Sequence, residues 1–221
     1  MLIRLSTFAL ALMLASTTLL AADESISPKP QGAEVAFVTN IQKDLMTRFP
    51  TAKDAENAGY FRYTNEDHTG AISYANTQWQ SADAQHPSQL WYDVHGKLLG
   101  ADFSVLSAKD SKTGPSLWGI NPKRWEAIPA HIHYVIVDAN KTTYGGMRTA
   151  KFTGAGGDLI NPQAATLVKL GLVKSADDVK HVFLFPAIWD LIVWVLPNPN
   201  GAFAEMNPNV KPSKKGSDMD M

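Results

Sequence analysis

The sequence predicts an α+β domain: a mainly antiparallel sheet or open barrel with a few flanking helices. Three observations predict it. Apolar residues recur at helical spacing near residues 33–49, before a change of texture at Tyr60. Beyond that point strand-like segments outnumber helical ones. His95-Gly96, between two such segments, reads as a two-residue turn, and a tight turn joins antiparallel neighbours.

Residues 23–32 are polar with two prolines and read as a flexible lead-in to a single domain over 33–210. Val35, Val38, Ile41, Leu45 and Phe49 step by three and four, an amphipathic helix that Pro50 ends. Thr51 caps a second short helix over 52–58, and Gly59 stops it. Tyr60, Phe61 and Tyr63 lead into a polar loop over 65–70. Residues 89–94 and 97–106 form the hairpin about His95-Gly96. Residues 107–129, with Gly114-Pro115, Asn121-Pro122 and Pro129, read as a long ordered loop.

Residues 131–137 are a strand closed by a turn over 138–142. Gly145-Gly146 and the glycines of 154–157 are expected to break the next segment. Residues 162–170 read as a short helix with Asn161 as cap, Pro162 in its first turn and Gly171 past its end. Ser175 and Asp178 open another helical turn. Residues 181–185 and 191–196 are apolar strands. The polar stretch 211–221 reads as a disordered tail.

The first 22 residues have another character. Arg4 is their only charge, residues 8–15 (FALALMLA) are an apolar core, and Ala21-Ala22 precede the first acids. That pattern is a secretory signal peptide, which places the protein in the periplasm or outside the cell. Cleavage after Ala22 leaves about 199 residues, enough for one domain with a sizeable core. No later segment is long and apolar enough to span a membrane; residues 183–196 come nearest and contain Pro186 and Asp190.

The formal net charge is −1, with no electrostatic footprint for nucleic acid or anionic membranes. The chain has no cysteine. Disulfides, thiolate metal sites, iron–sulfur clusters and Cys nucleophiles are thereby excluded. Stability rests on an aromatic-rich core, or on assembly into a homo-oligomer.

His131-Ile132-His133 is the sharpest chemical feature. Alternate strand residues share a face, so the two imidazoles stand side by side and suit Zn or Cu. A third ligand must come from elsewhere; His181 heads another strand, with His86, His95, Glu126 and Asp138 as alternatives. The competing reading is a pair of hydrogen-bonded sheet histidines. Val135 and Val137 share their face, while Ile132, Tyr134 and Ile136 fill the other.

The same stretch partly matches a cupin first motif, with Asp138 where a Glu is expected, Trp125 where a Gly is expected, and Gly145 in place. No second cupin motif surrounds His181. Nucleophilic catalysis finds little support, since Ser88, His86 and Asp83 are merely local neighbours. Asp67-His68 reads as a solvated turn. Residues 154–158, glycine-rich before a helix, lack a dinucleotide or Walker pattern. Trp79, Trp91, Trp118 and Trp125 suit core packing better than a sugar-stacking platform.

Several segments together resemble an uncharacterised family of exported bacterial proteins. They are KDAENAGYFRY at 53–63, GAISYAN at 70–76, PSQLWYDVHGKLLGADFSV at 87–105, PSLWG at 115–119 and WDLIVWVLPNPNGAFAEMNPNV at 189–210. The resemblance covers most of residues 50–210 and implies a shared fold and export, without an established activity. Members carry three histidines that suggest a metal or ligand site, but this chain departs from them with Ser73, Ile188 and Ile192, so a family site there is lost and no functional residue carries over. The expected function is an exported domain binding a divalent metal or small ligand near His131 and His133. The alternatives are a metal-dependent hydrolase or cupin-like enzyme with Glu126 or Asp138 as base, and a ligand-free structural or interaction protein.

Overall fold

A computed structural model describes residues 26–80, 83–108, 111–139 and 141–213. The leader expected over 1–22 and residues 214–221 of the tail expected over 211–221 lie outside the described residues; residues 211–213 of that tail are described, and the Ser213 N–H donates to Glu66 Oε1 at 2.7 Å.

Helix α1 (Ala33–Arg48) follows the predicted spacing. Val38, Ile41 and Leu45 are buried, and Phe49 beyond its end joins them. Burying each such side chain stabilises by roughly 1.5–3 kcal/mol, so packing rather than propensity holds the helix. Helix α2 (Ala52–Asn57) begins in a capping box: Thr51 Oγ1 accepts from the Asp54 N–H, and the Thr51 N–H donates to Asp54 Oδ2 at 3.0 Å.

Strands β1 (Phe61–Arg62), β2 (Ile72–Ala75), β3 (Gln89–Tyr92) and β4 (Leu98–Leu106) then run antiparallel in sequence. The β3–β4 turn differs from the expected two-residue form. The Asp93 N–H donates to Lys97 O at 3.0 Å, leaving residues 94–96 as a three-residue loop. Asp93 Oδ1 accepts from the N–H groups of His95 and Lys97, and Gly96 supplies the left-handed residue at φ 75°.

Within the expected loop 107–129 lies a 3-10 turn (Pro122–Arg124) and strand β5 (Glu126–Ile128). Strands β6 (His131–Asp138) and β7 (Lys141–Arg148) form the second hairpin. Gly145 and Gly146 do not break β7; they sit inside it. A Cβ at Gly145 would stand 2.3 Å from Tyr134 Cζ, so the strand needs glycine to seat that ring. Helix α3 (Thr149–Gly154) comes next, where the glycines had suggested only a break. Helix α4 (Ala164–Lys169) starts later than expected, with Gln163 rather than Asn161 at its N-cap. Strands β8 (Val179–Phe185) and β9 (Ile188–Trp194) complete the chain's regular structure.

The strands form two antiparallel sheets rather than a closed barrel: β1-β2-β3-β4-β9-β5 and β7-β6-β8. The layers run helix, sheet, sheet, helix. Residues of α1 and α2 pack with Leu90, Tyr92, Phe103 and Leu191 on one face of the large sheet. Phe152 of α3 and Leu167 of α4 cover Ile132 and Met147 on the outer face of the small sheet. Between the sheets lie Tyr63, Ala75, Val135, Phe183 and Phe185.

Residues 26–32 lie along the domain. Arg124 pairs with Glu34 at 2.8 Å, both almost fully buried, and donates to the carbonyls of Ser27 and Lys29. The Phe203 N–H donates to Pro28 O at 3.1 Å. No helix among the described residues is long and apolar enough to cross a membrane.

Candidate functional site

Strand alternation in β4 and β9 puts polar side chains on the face of the large sheet that meets the small one. Asp102 and Ser104 alternate with Ala101 and Phe103, and register places Ser104 opposite Asp190. All three are buried. Ser88 Oγ and Ser104 Oγ are 2.6 Å apart, and Ser104 donates to Asp190 Oδ1 at 3.0 Å. Trp91 Nε1 donates to Asp102 Oδ2 at 2.7 Å, while Asp102 Oδ1 finds no conventional donor.

That orphan is explained by its neighbour. Burial, and then the Asp190 charge, hold the Asp102 carboxyl well above the usual carboxylate range; burial raises Asp190 as well. Two carboxyls buried side by side and both raised cannot both ionise readily, so the pair retains a proton that belongs to the pair.

Asp190 opens onto a cavity of about 190 Å3 between the sheets. The large sheet and its loops contribute Tyr63, Asp67, Ser73 and Gln89, and the small sheet contributes His131, His133 and Phe185. The expected histidine pair is thus placed on one wall, rings 4.8 Å apart and edge to face. His131 Nδ1 donates to Pro129 O at 2.8 Å. A carbonyl only accepts, so the neutral ring carries its proton on Nδ1 and presents Nε2 as an acceptor.

His133 is buried against Tyr63 and Phe183. Burial, with His131 beside it, pushes its imidazole down to about 3. It is therefore neutral. Its Nδ1 has no hydrogen-bond partner among the described residues and lies over Gly146, with the Gly145 backbone close enough to favour ring protonation slightly. Tyr63 donates its hydroxyl to Gln89 Oε1, and burial raises that phenol.

His181 does not join the pair. It faces Val135 across the ladder, beyond Phe183, and stacks on Phe61 with centroids 4.0 Å apart. Register explains the separation: Phe185 and Phe183 oppose His131 and His133, so His181 falls one pair further along. Among the described residues no group of three or more His, Asp or Glu side chains is arranged to hold a metal ion.

The other candidates are dispersed. His86 stacks on Trp79 and bonds Asp83 at 2.6 Å, while Ser88 is turned into the Asp102 network, so no triad forms. His95 lies in the β3–β4 turn, Glu126 is exposed on β5, and Asp138 is exposed at the end of β6. Trp91 and Trp125 are core residues, and Trp118 stacks on Phe37. Ser73 and Ile188 line the histidine cavity, whereas Ile192 packs beside Trp91 and Trp194. Asp102 and Asp190 escaped the sequence reading. Their signal was a single acid inside each of the apolar runs LLGADFSVL and IWDLIVW, where an unpaired carboxylate is not tolerated.

No family model, curated protein or solved structure matches this chain.

Proposed function

We propose that this is an exported binding domain whose ligand is a compact hydrogen-bond donor, a small amine or ammonium compound, held between His131, His133 and Asp190. The observation that carries it is the His131 Nδ1–Pro129 bond, which leaves an acceptor nitrogen on the wall of the cavity between the sheets. Asp190 and Asp67 add acceptor oxygens to the same lining, and Phe185 and Ile188 supply apolar walls. The volume corresponds to about six waters, which restricts the ligand to a few heavy atoms. Two imidazoles without a third protein ligand among the described residues hold a metal weakly, which favours an organic cation over Zn or Cu.

The test is calorimetric titration of the full chain with methylammonium, ethanolamine, Zn2+ and Cu2+, repeated on His131→Ala. Binding of an amine that His131→Ala abolishes, with the thermal midpoint unchanged, supports the reading. Saturable binding of metal only, or of no probe, overturns it, as does equal amine binding by the variant.

A further inference from the structure

A second cavity lies between the sheets, and its chemistry is opposite to that of the first. An aromatic plug of Tyr63, Phe183 and Phe61 separates them; Phe61 and Tyr63 each pack edge-on to Phe183, at 5.2 and 5.8 Å. Beyond the plug, around the β1 edge, opens a cleft of about 570 Å3. That size falls in the range of organic ligand sites, roughly 300–1,000 Å3.

Its polar lining is donor-rich where the histidine cavity is acceptor-rich. Arg62 uses Nε on Thr64 O at 2.9 Å and lays its guanidinium 4.7 Å from the centre of the Tyr144 ring, so its terminal nitrogens remain available. Lys180 reaches the cleft through a local irregularity. Val135 pairs with His181 and Ile136 with Val179, so Lys180 is the extra residue of a β-bulge. Bulges re-aim side chains in this way. The Lys180 charge and burial together lower the neighbouring His181, with burial the larger cause. Glu56, the one acid in the lining, is paired with Lys53 at 3.2 Å. No carboxylate pairs with Arg62 or Lys180 among the described residues.

Two cations without a carboxylate partner among the described residues, beside Phe61, Tyr74 and Tyr144, specify a ligand with a negative head and a planar apolar body. We infer that the cleft between Arg62, Lys180 and Tyr144 binds a small aryl carboxylate, independently of the histidine cavity.

The test titrates the full chain with 2-naphthoate, and with inorganic phosphate to separate bare charge from the aromatic body. Lys180 is exposed, so Lys180→Gln keeps the fold while removing one charge. Losing one charge-assisted hydrogen bond is expected to weaken naphthoate binding about tenfold or more. His131→Ala, across the plug, is expected to leave it unchanged. The assignment is overturned by no naphthoate binding up to about 10 mM, by equal binding by Lys180→Gln, or by phosphate binding as tightly as naphthoate. Loss on His131→Ala, with Lys180→Gln unaffected, would move the ligand to the other cavity and equally overturn it.

Discussion

His131 and His133 stand edge to face, ring centroids 4.8 Å apart at 75°, yet the fold treats them differently. His131 is half-buried with its ring proton anchored on Pro129 O, whereas His133 is buried and held neutral. Two histidines on one strand face thus divide the work. His131 presents an acceptor to the cavity, and His133 ties the small sheet to Tyr63.

The His133 imidazole makes stability depend on acid. Its folded-state value, about 3, lies below its ordinary 6.5. Its contribution is therefore complete above 6.5 and is lost as pH falls toward 3. Urea unfolding between pH 7 and 4 is expected to show a wild-type loss of roughly 1–3 kcal/mol that His133→Gln lacks. A difference between the two proteins that stays constant with pH would sink this account.

Asp190 works in the opposite direction. With Asp102 it keeps a proton that the unfolded chain releases near 3.8. The stability this contributes is full below that value and declines as pH rises through the raised folded-state range. Asp190→Asn remains neutral throughout and accepts from Ser104 as before. Its unfolding free energy relative to wild type is expected to rise as pH climbs above 3.8. A relative stability that falls on the alkaline side would show that the shared proton is misassigned.

Glu34 and Arg124 form the ion pair that binds α1, the 122–124 turn and residues 27–29 together. Burial alone would raise the Glu34 carboxyl. Bonds from Arg124, Gln31 and Asn121 outweigh it and hold the group below 4.5. Its stabilisation is present above 4.5 and lost as pH falls below it. Glu34→Gln or Arg124→Met strands a buried partner and is expected to cost about 3–5 kcal/mol in chemical denaturation. A double variant whose cost equals the sum of the two single costs would show that the pair is uncoupled.

Gly100 and Gly154 should respond oppositely to one methyl group. A Cβ at Gly100 meets Trp91 Cε3 at 2.6 Å and the Val193 carbonyl at 2.8 Å, and a backbone carbonyl in a central ladder does not yield. Gly100→Ala is expected to lower stability by roughly 1–3 kcal/mol. Gly154, at the end of α3, meets nothing within 4 Å. Gly154→Ala is expected to stabilise by up to about 1 kcal/mol through the unfolded chain. Thermal denaturation of both variants checks the pair of signs.

Local rules made much of the fold legible. The three- and four-residue steps of Val38, Ile41 and Leu45 mark α1, and Thr51 marks the start of α2. Gly145 and Gly146 misled because glycine has two uses in a strand. Here it opens space for Tyr134, a cross-strand partner invisible to local sequence. Glu126 to Ile128 likewise forms a strand only because β9 offers its free edge.

The sequence by itself determined the antiparallel α+β class, the absence of thiol chemistry and the shared face of His131 and His133. Each follows from composition or from the period-two geometry of a single strand. Tertiary structure alone decided what faces that pair. Sheet register sets Phe183 and Phe185 opposite the histidines and carries His181 past them, while the pairing of β4 with β9 brings Asp102, Ser104 and Asp190 together from residues far apart in the chain. A ladder's register is a long-range property, fixed by which strands bury one another, so no local pattern could have announced it.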